Sequence, residues 1–157
     1  GNHDLGVLGA IEIDAFSPPA AAAARWTREQ LDPQAREFLE GLAAANEEQE
    51  AALYHASPRD HVWEYVLSTE QAAACMEAQA RRVSLIGHSH VALAFRGEED
   101  GPRTGGAQIP GGTTLDVSDD RWLLNPGSVG QPRDGDPRAA WLELDTESWQ
   151  ASYHRVE

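Results

Sequence analysis

Two short apolar runs, Ala52-Leu53-Tyr54-His55 and Val83-Ser84-Leu85-Ile86-Gly87, end at a histidine and at a glycine that a histidine follows. Continuous apolar runs of this length suit strands buried in a sheet. Between them, Ser68-Thr69-Glu70-Gln71 has the residues of a capping box and opens the helical stretch TEQAAACMEAQARR. Upstream, Ser17-Pro18-Pro19 and Asp32-Pro33 each put a capping residue before a proline, which costs nothing in a first turn because its missing N–H has no helical partner there. They predict two consecutive helices meeting at a corner. Downstream, VALAF (91–95), RWLLN (121–125), AAWLELD (139–145) and WQASYHRV (149–156) read as strands, the last two as an antiparallel hairpin. The stretch 97–114, rich in Gly and Pro, reads as hairpin loops between short strands. Helices alternating with strands and then strands alone predict an α/β layered domain with a mixed sheet.

With 157 residues the chain has the length of one domain with a real core. Its net charge of −14 opposes a polyphosphate backbone, which is bound by Lys and Arg, so no extended nucleic acid is expected as a partner. A small phosphate ester held by bound cations is compatible with that charge. Cys75 is the only cysteine, so the core must hold the fold without an intrachain disulfide, as is usual in the cytoplasm. The longest apolar stretch, Ala20 to Ala24, is far below the roughly 20 residues that span a bilayer. No membrane partner is expected, and the expected localisation is cytoplasmic.

Histidine and amide groups stand at expected loop edges in four places: Asn2-His3, His55, His88-Ser89-His90 and Asn125. His88 and His90 follow an apolar strand directly, and a spacing of two sends both imidazoles to one side if the chain stays extended. Two imidazoles aimed together at a strand end suit a metal, and the region beyond the carboxyl ends of strands is where α/β sheets place ligands. A turn carrying two surface histidines is the competing reading of GHSH, and an ordinary strand-end residue that of His55.

Asn2, His55, His88 and His90 are all neutral donors. Two divalent ions about 3.5 Å apart repel by roughly 19 kcal/mol at an effective dielectric of 20. Neutral ligands do little against that, so a dinuclear site needs carboxylates. Asp4 and Asp60 are the nearest candidates, and an Asp beside a turn is more often a cap.

GNHD (1–4), LYHASPRD (53–60), GHSH (87–90) and NPGSVGQPRDGDPRAAWLELD (125–145) occur in an order that resembles the calcineurin-like metallophosphoesterase superfamily, in particular its small bacterial phosphodiesterase or phosphatase branch. The resemblance implies an α/β layered sandwich of mixed β-sheets flanked by helices, here a single domain over 1–157 that is N-terminally incomplete, with the N-terminal strands absent from this chain. It implies that Asn2, His55 and His88 bind one metal, that His90 helps bind another, and that His3 is the catalytic histidine. The family's Asp-x-His and Gly-Asp-x-x-Asp motifs precede GNHD and do not occur here. The implied cofactors are two divalent metal ions (Mn, Fe, Zn, Ni or Co), and the implied reaction is hydrolysis of a small phosphate-ester substrate by a metal-bridging hydroxide. The alternative is a non-catalytic or truncated scaffold with an incomplete metal site. Arg59 and Arg133 stand where a phosphate contact is conceivable, yet both sit in ordinary turn sequences. Asn125-Pro126-Gly127-Ser128 is expected to shape a loop beneath the site.

Overall fold

A computed structural model describes residues 1–98 and 103–157, which form two compact units, Gly1–Ala44 and Ala45–Glu157. Part of the Gly-rich stretch 97–114 therefore lies outside the described residues.

The first unit is helical: α1 (Asn2–Leu8), a 3-10 turn (Ile13–Ala15), α2 (Pro18–Gln30) and α3 (Pro33–Glu40). The proline signals place both later helices correctly, and the Asp32 side chain accepts from the N–H of Ala35 at 2.7 Å. The second of these helices stops at Glu40, before Gly41 and the alanines that follow it. The loop-edge expectation for Asn2 and His3 is overturned, because both lie in the first turn of α1. That helix ends at Gly9, whose φ of +81° is the left-handed conformation glycine adopts without strain. Arginines of the neighbouring helices satisfy its last carbonyls: Arg28 donates to Gly6 and Val7 at 2.6 and 3.1 Å, and Arg36 to Leu8 at 3.0 Å. Val7, Ile13 and Ala24 form the small core, with Phe16 and Leu31 packed on it.

The second unit is built on two sheets. In chain order its elements are β1 (Ala45–Asn46), β2 (Ala52–Tyr54), α4 (Thr69–Ala78), β3 (Val83–Leu85), β4 (Ala92–Gly97), β5 (Thr104–Gln108), β6 (Thr114–Asp116), β7 (Arg121–Pro126), β8 (Ala139–Asp145) and β9 (Gln150–Val156). The larger sheet has the order β1-β2-β3-β7-β4-β5, with β2, β3 and β7 mutually parallel and β1, β4 and β5 antiparallel to their neighbours. The smaller is antiparallel, β6-β9-β8, and contains the expected C-terminal hairpin. The capping box of α4 forms, since Ser68 Oγ accepts from the N–H of Gln71 and Gln71 Oε1 from that of Ser68. Within the Gly-rich stretch, Thr104–Gln108 is a strand rather than a loop, paired along β4.

Side chains of successive strand residues point to opposite faces, and here that period divides the core in two. Ala92, Ala94, Trp122 and Leu124 join a cluster with Val83, Ala151 and Tyr153, the side that faces the small sheet. Leu93, Phe95 and Leu123 join the other cluster, with Ala72, Cys75 and Met76 of α4. Tyr153 ties the layers, its buried hydroxyl donating to the carbonyl of Leu93 at 2.8 Å. The architecture is thus the expected layered α/β arrangement of mixed sheets with helices. The parallel strands β2, β3 and β7 all point their carboxyl ends, and with them His55, His88 and Asn125, to one edge.

Candidate metal centre

The parallel register pairs Leu53 with Leu85, which carries His55 to the level of Gly87 and brings His88 beside it. His55 Nε2 then lies 3.2 Å from His88 Nδ1. A glycine is required at 87 for this approach, because a Cβ there would stand 2.9 Å from the carbonyl oxygen of His55. His88 is buried, and its other side is covered by Tyr65, whose ring stacks on the imidazole at 4.1 Å between centroids and 21° between planes.

The HxH pair is not extended. His88 and His90 have φ of +63° and +60°, a left-handed conformation costly for a branched-free but non-glycine residue by about 1–2 kcal/mol each. Spacing alone therefore does not aim the two imidazoles to one side, as an extended chain would. The turn is held instead from below by Asn125, which is fully buried: its Nδ2 donates to the Gly87 carbonyl and the Ser89 hydroxyl, both at 2.9 Å. Its Oδ1 accepts from the N–H of Gly127 at 3.0 Å, so one amide ties the GHSH and NPGS turns together. Gly127 has φ of +89° and a Cβ there would meet that of Ala140 at 2.8 Å, which excludes other residues on both counts.

His90 is gripped by the loop that follows. Its Nδ1 is 2.9 Å from the carbonyl of Gln131, and its own carbonyl accepts from the N–H of Arg133 at 2.9 Å. A carbonyl only accepts, so Nδ1 carries the proton, and in the neutral ring Nε2 has the lone pair. Metal-binding histidines are usually oriented in this way. The loop is anchored in turn by Asp134, whose buried carboxylate pairs with Arg155 and accepts from the N–H of Ala92 at 3.2 Å. Burial alone would raise the Asp134 pKa, but the Arg155 hydrogen bond and that of Ala92 outweigh it and hold the carboxyl below its ordinary range.

Two nitrogens bound to one zinc-sized ion at about 2.0–2.1 Å, at octahedral to tetrahedral angles, stand about 2.9–3.4 Å apart. The 3.2 Å between His55 and His88 fits two ligands of one ion. Further donors are not gathered there: among the described residues no group of three or more His, Cys, Asp or Glu side chains could hold a metal. Asp60 behaves as a cap, accepting from the N–H groups of Val62 and Trp63, each at 3.0 Å, and these bonds lower its pKa. Cys75 is buried, and desolvation followed by the nearby Glu64 carboxylate pushes its thiol up to about 11, far from thiolate. Among the described residues the donor set fits part of one site, and a second ion would need carboxylates that this set does not supply.

Asn2 and His3 belong to the first unit. Asn2 is buried, and the ring of His3 stacks on Phe16 at 4.8 Å between centroids. Arg59 lies 3.7 Å from Glu64, and the Arg133 guanidinium donates to Gln131 Oε1 at 3.0 Å. The contacts of Tyr65 and Gln131 went unrecognised in the sequence. For Tyr65 a signal existed, the alternation of Trp63, Tyr65 and Leu67 with Glu64 and Val66.

The sequence and the fold match a known class. The family model of the calcineurin-like phosphoesterase superfamily domain covers residues 1–147, and the chain belongs to that superfamily, whose members are in general divalent-metal-dependent hydrolases of phosphate esters. The chain is similar to a metallophosphoesterase from Sphaerobacter thermophilus of known crystal structure, with 37% identity and a TM-score of 0.86 over 100% of this chain and 64% of that one. It is 32% identical to the uncharacterized protein MJ0912 of Methanocaldococcus jannaschii over 162 aligned residues, covering 100% of this chain and 63% of that protein. The hypothetical protein PH1004 of Pyrococcus horikoshii shares the fold, with a TM-score of 0.72 at 18% identity over 100% of this chain and 61% of that one. The chain thus spans less than two thirds of the length of these relatives.

Proposed function

We propose that this chain forms part of a metal-dependent phosphoesterase acting on small phosphate esters, with His55 and His88 as ligands of one divalent ion. The observation that carries the reading is the 3.2 Å approach of His55 Nε2 and His88 Nδ1 at the ends of two parallel strands. A divalent ion held there supplies positive charge for phosphoryl oxygens and lowers the pKa of a bound water.

The chain's own residues prepare the site. Gly87 lets the two strand ends close, and Asn125 holds the GHSH turn in its left-handed form. The bond from His90 to the Gln131 carbonyl keeps the ring's lone pair on Nε2, as a ligand requires, and His90 is proposed to serve a second ion. Asn2 as a metal ligand and His3 as the catalytic histidine, a general acid or a charge stabiliser at the leaving oxygen, carry over from the family resemblance alone. So do the dinuclear site, the choice among Mn, Fe, Zn, Ni and Co, and monoester or diester substrates. A cytoplasmic location is proposed from the lone Cys75. No helix is long and apolar enough to cross a membrane among the described residues.

A specific observation favours a second reading: the described residues gather no third acidic, histidine or cysteine ligand. The chain would then be a scaffold whose metal site is incomplete. Measuring metal stoichiometry and hydrolysis of p-nitrophenyl phosphate and its bis ester separates the two, with the 157-residue chain compared to one extended upstream. The extended chain is expected to gain metal and turnover, and to lose both when His88 is replaced by Ala. Equal inertness of the extended chain and its His88→Ala variant would favour the scaffold.

A further inference from the structure

Residues 63–67, whose Tyr65 stacks on His88, alternate in exposure. Glu64 points inward, where Ser57 Oγ donates to its carboxylate and the Cys75 thiol lies 3.5 Å from the same oxygen. Val66 is buried in the core on the α4 side. Pinned at those two positions, the segment turns Trp63, Tyr65 and Leu67 outward, 45%, 42% and 55% exposed. Single exposed apolar residues need no explanation, but Trp63, Tyr65 and Leu67 are three exposed large apolar side chains within five residues on a chain of net charge −14. Of the three, Tyr65 reaches the candidate centre, where it stacks directly on His88.

We propose that Tyr65, flanked by Trp63 and Leu67, is a specificity-determining residue that receives a flat aromatic leaving group, such as an aryl or nucleobase-bearing alcohol, while the phosphoryl group sits at the histidine pair. The inference rests on the phosphoesterase reading and names its substrate class. One part of the Tyr65 ring is engaged by His88, and the exposed remainder offers an apolar, π-bearing surface within one side chain's reach of the His55–His88 pair. Aromatic rings favour offset or edge contacts with other rings, so such a surface selects flat leaving groups over alkyl ones. The contact is uncharged, which suits a protein whose acidic surface gives no attraction to an anionic substrate.

Binding of phenylphosphonate and methylphosphonate to the full chain, measured calorimetrically with zinc(II) present, tests this without relying on turnover. The phenyl compound is expected to bind more tightly. Tyr65→Ala should cut the phenyl-to-methyl preference about three- to tenfold, as loss of one aromatic contact does, whatever loss the two compounds share through the His88 ring that it covers. Tyr65→Phe should keep the preference, and Trp63→Ala should reduce it less than Tyr65→Ala. An unchanged preference in Tyr65→Ala, or an equal loss for both compounds, overturns the role of Tyr65 and leaves the phosphoesterase reading standing. Failure of both phosphonates to bind overturns that reading, and the inference with it.

Discussion

Asn125, at the end of β7, donates from its side-chain amide to the hydroxyl of Ser89, 2.9 Å away and midway between His88 and His90. The same nitrogen reaches the carbonyl of Gly87, so one buried group on a neighbouring strand sets the shape of the turn that carries both histidines.

Replacing Asn125 with Ala should therefore act twice. Three hydrogen bonds of a buried amide are lost, and leaving the partners unsatisfied is expected to cost about 2–3 kcal/mol in urea unfolding. The left-handed turn is released as well, and metal affinity should fall about 10–100-fold, as when a partner that orients ligands is removed. Asn125→Asp should be no better, because a carboxylate faces the Gly87 carbonyl where a donor is needed. Wild-type metal affinity in Asn125→Ala would show that the turn holds its shape without the amide.

Gly87→Ala should separate the histidines with little change in composition. The new Cβ meets backbone, the His55 carbonyl at 2.9 Å, and backbone at a strand end cannot swing aside as a long side chain can. Loss of about 1–3 kcal/mol of stability is expected, the usual range for forcing extra volume into packed structure, with weaker metal binding. Calorimetric titration with zinc(II) checks the second effect, and a Gly87→Ala variant that binds zinc as the parent does would contradict the packing argument.

The Asp134–Arg155 pair predicts acid sensitivity. The folded carboxyl titrates below its ordinary value of 3.8, so the pair contributes stability above that value and loses it as the pH falls through the lower folded pKa. Asp136 acts in the same direction, held at about 2 by hydrogen bonds from Arg138. Thermal unfolding followed from pH 6 down to about pH 2 should show a loss of stability below roughly pH 4 that is smaller in Asp134→Asn. At neutral pH the same variant should lose up to about 3 kcal/mol of stability, because the buried Arg155 loses its close charge partner and keeps only the Asp136 carboxylate 3.9 Å away. An identical acid profile in parent and variant would remove Asp134 from this account.

Cys75 should be inert. Burial and the Glu64 carboxylate raise its thiol to about 11, so the thiolate that reacts is scarce at pH 8. A disulfide reagent such as dithionitrobenzoate should label the folded chain slowly and the urea-unfolded chain at once. Rapid labelling of the folded chain would mean that the cluster around α4 opens readily.

Much of the second unit is legible in the sequence, for a physical reason. Runs such as Val83-Ser84 and Trp122–Asn125 are buried on both faces, and short continuous apolar runs can do little else. Helix starts at Pro33 and Thr69 are marked by side-chain caps, and the start at Pro18 by proline in the first turn without a side-chain bond from Ser17; these signals act locally. Helix ends were less so, since α3 and α4 stop at Glu40 and Ala78, short of their helix-favouring sequences. The placement of Asn2 and His3 in a helix was also hidden, because no capping side chain precedes them. At the candidate centre, His55 and His88 were identifiable from the strands that they end. The left-handed backbone at His88 and His90 was not, because it depends on Asn125, far away in sequence. The stacking of Tyr65 on His88 is likewise a tertiary contact, visible in sequence only as alternation.

The central claim, that His55 and His88 are ligands of one ion, is tested most directly by following the imidazole nitrogens of both residues by NMR while the chain is titrated with zinc(II). The account predicts that His55 Nε2 and His88 Nδ1 shift together, with the same midpoint and one ion per chain, and that His55→Ala abolishes the shift at His88. Movement of one resonance without the other, or of neither, would contradict it.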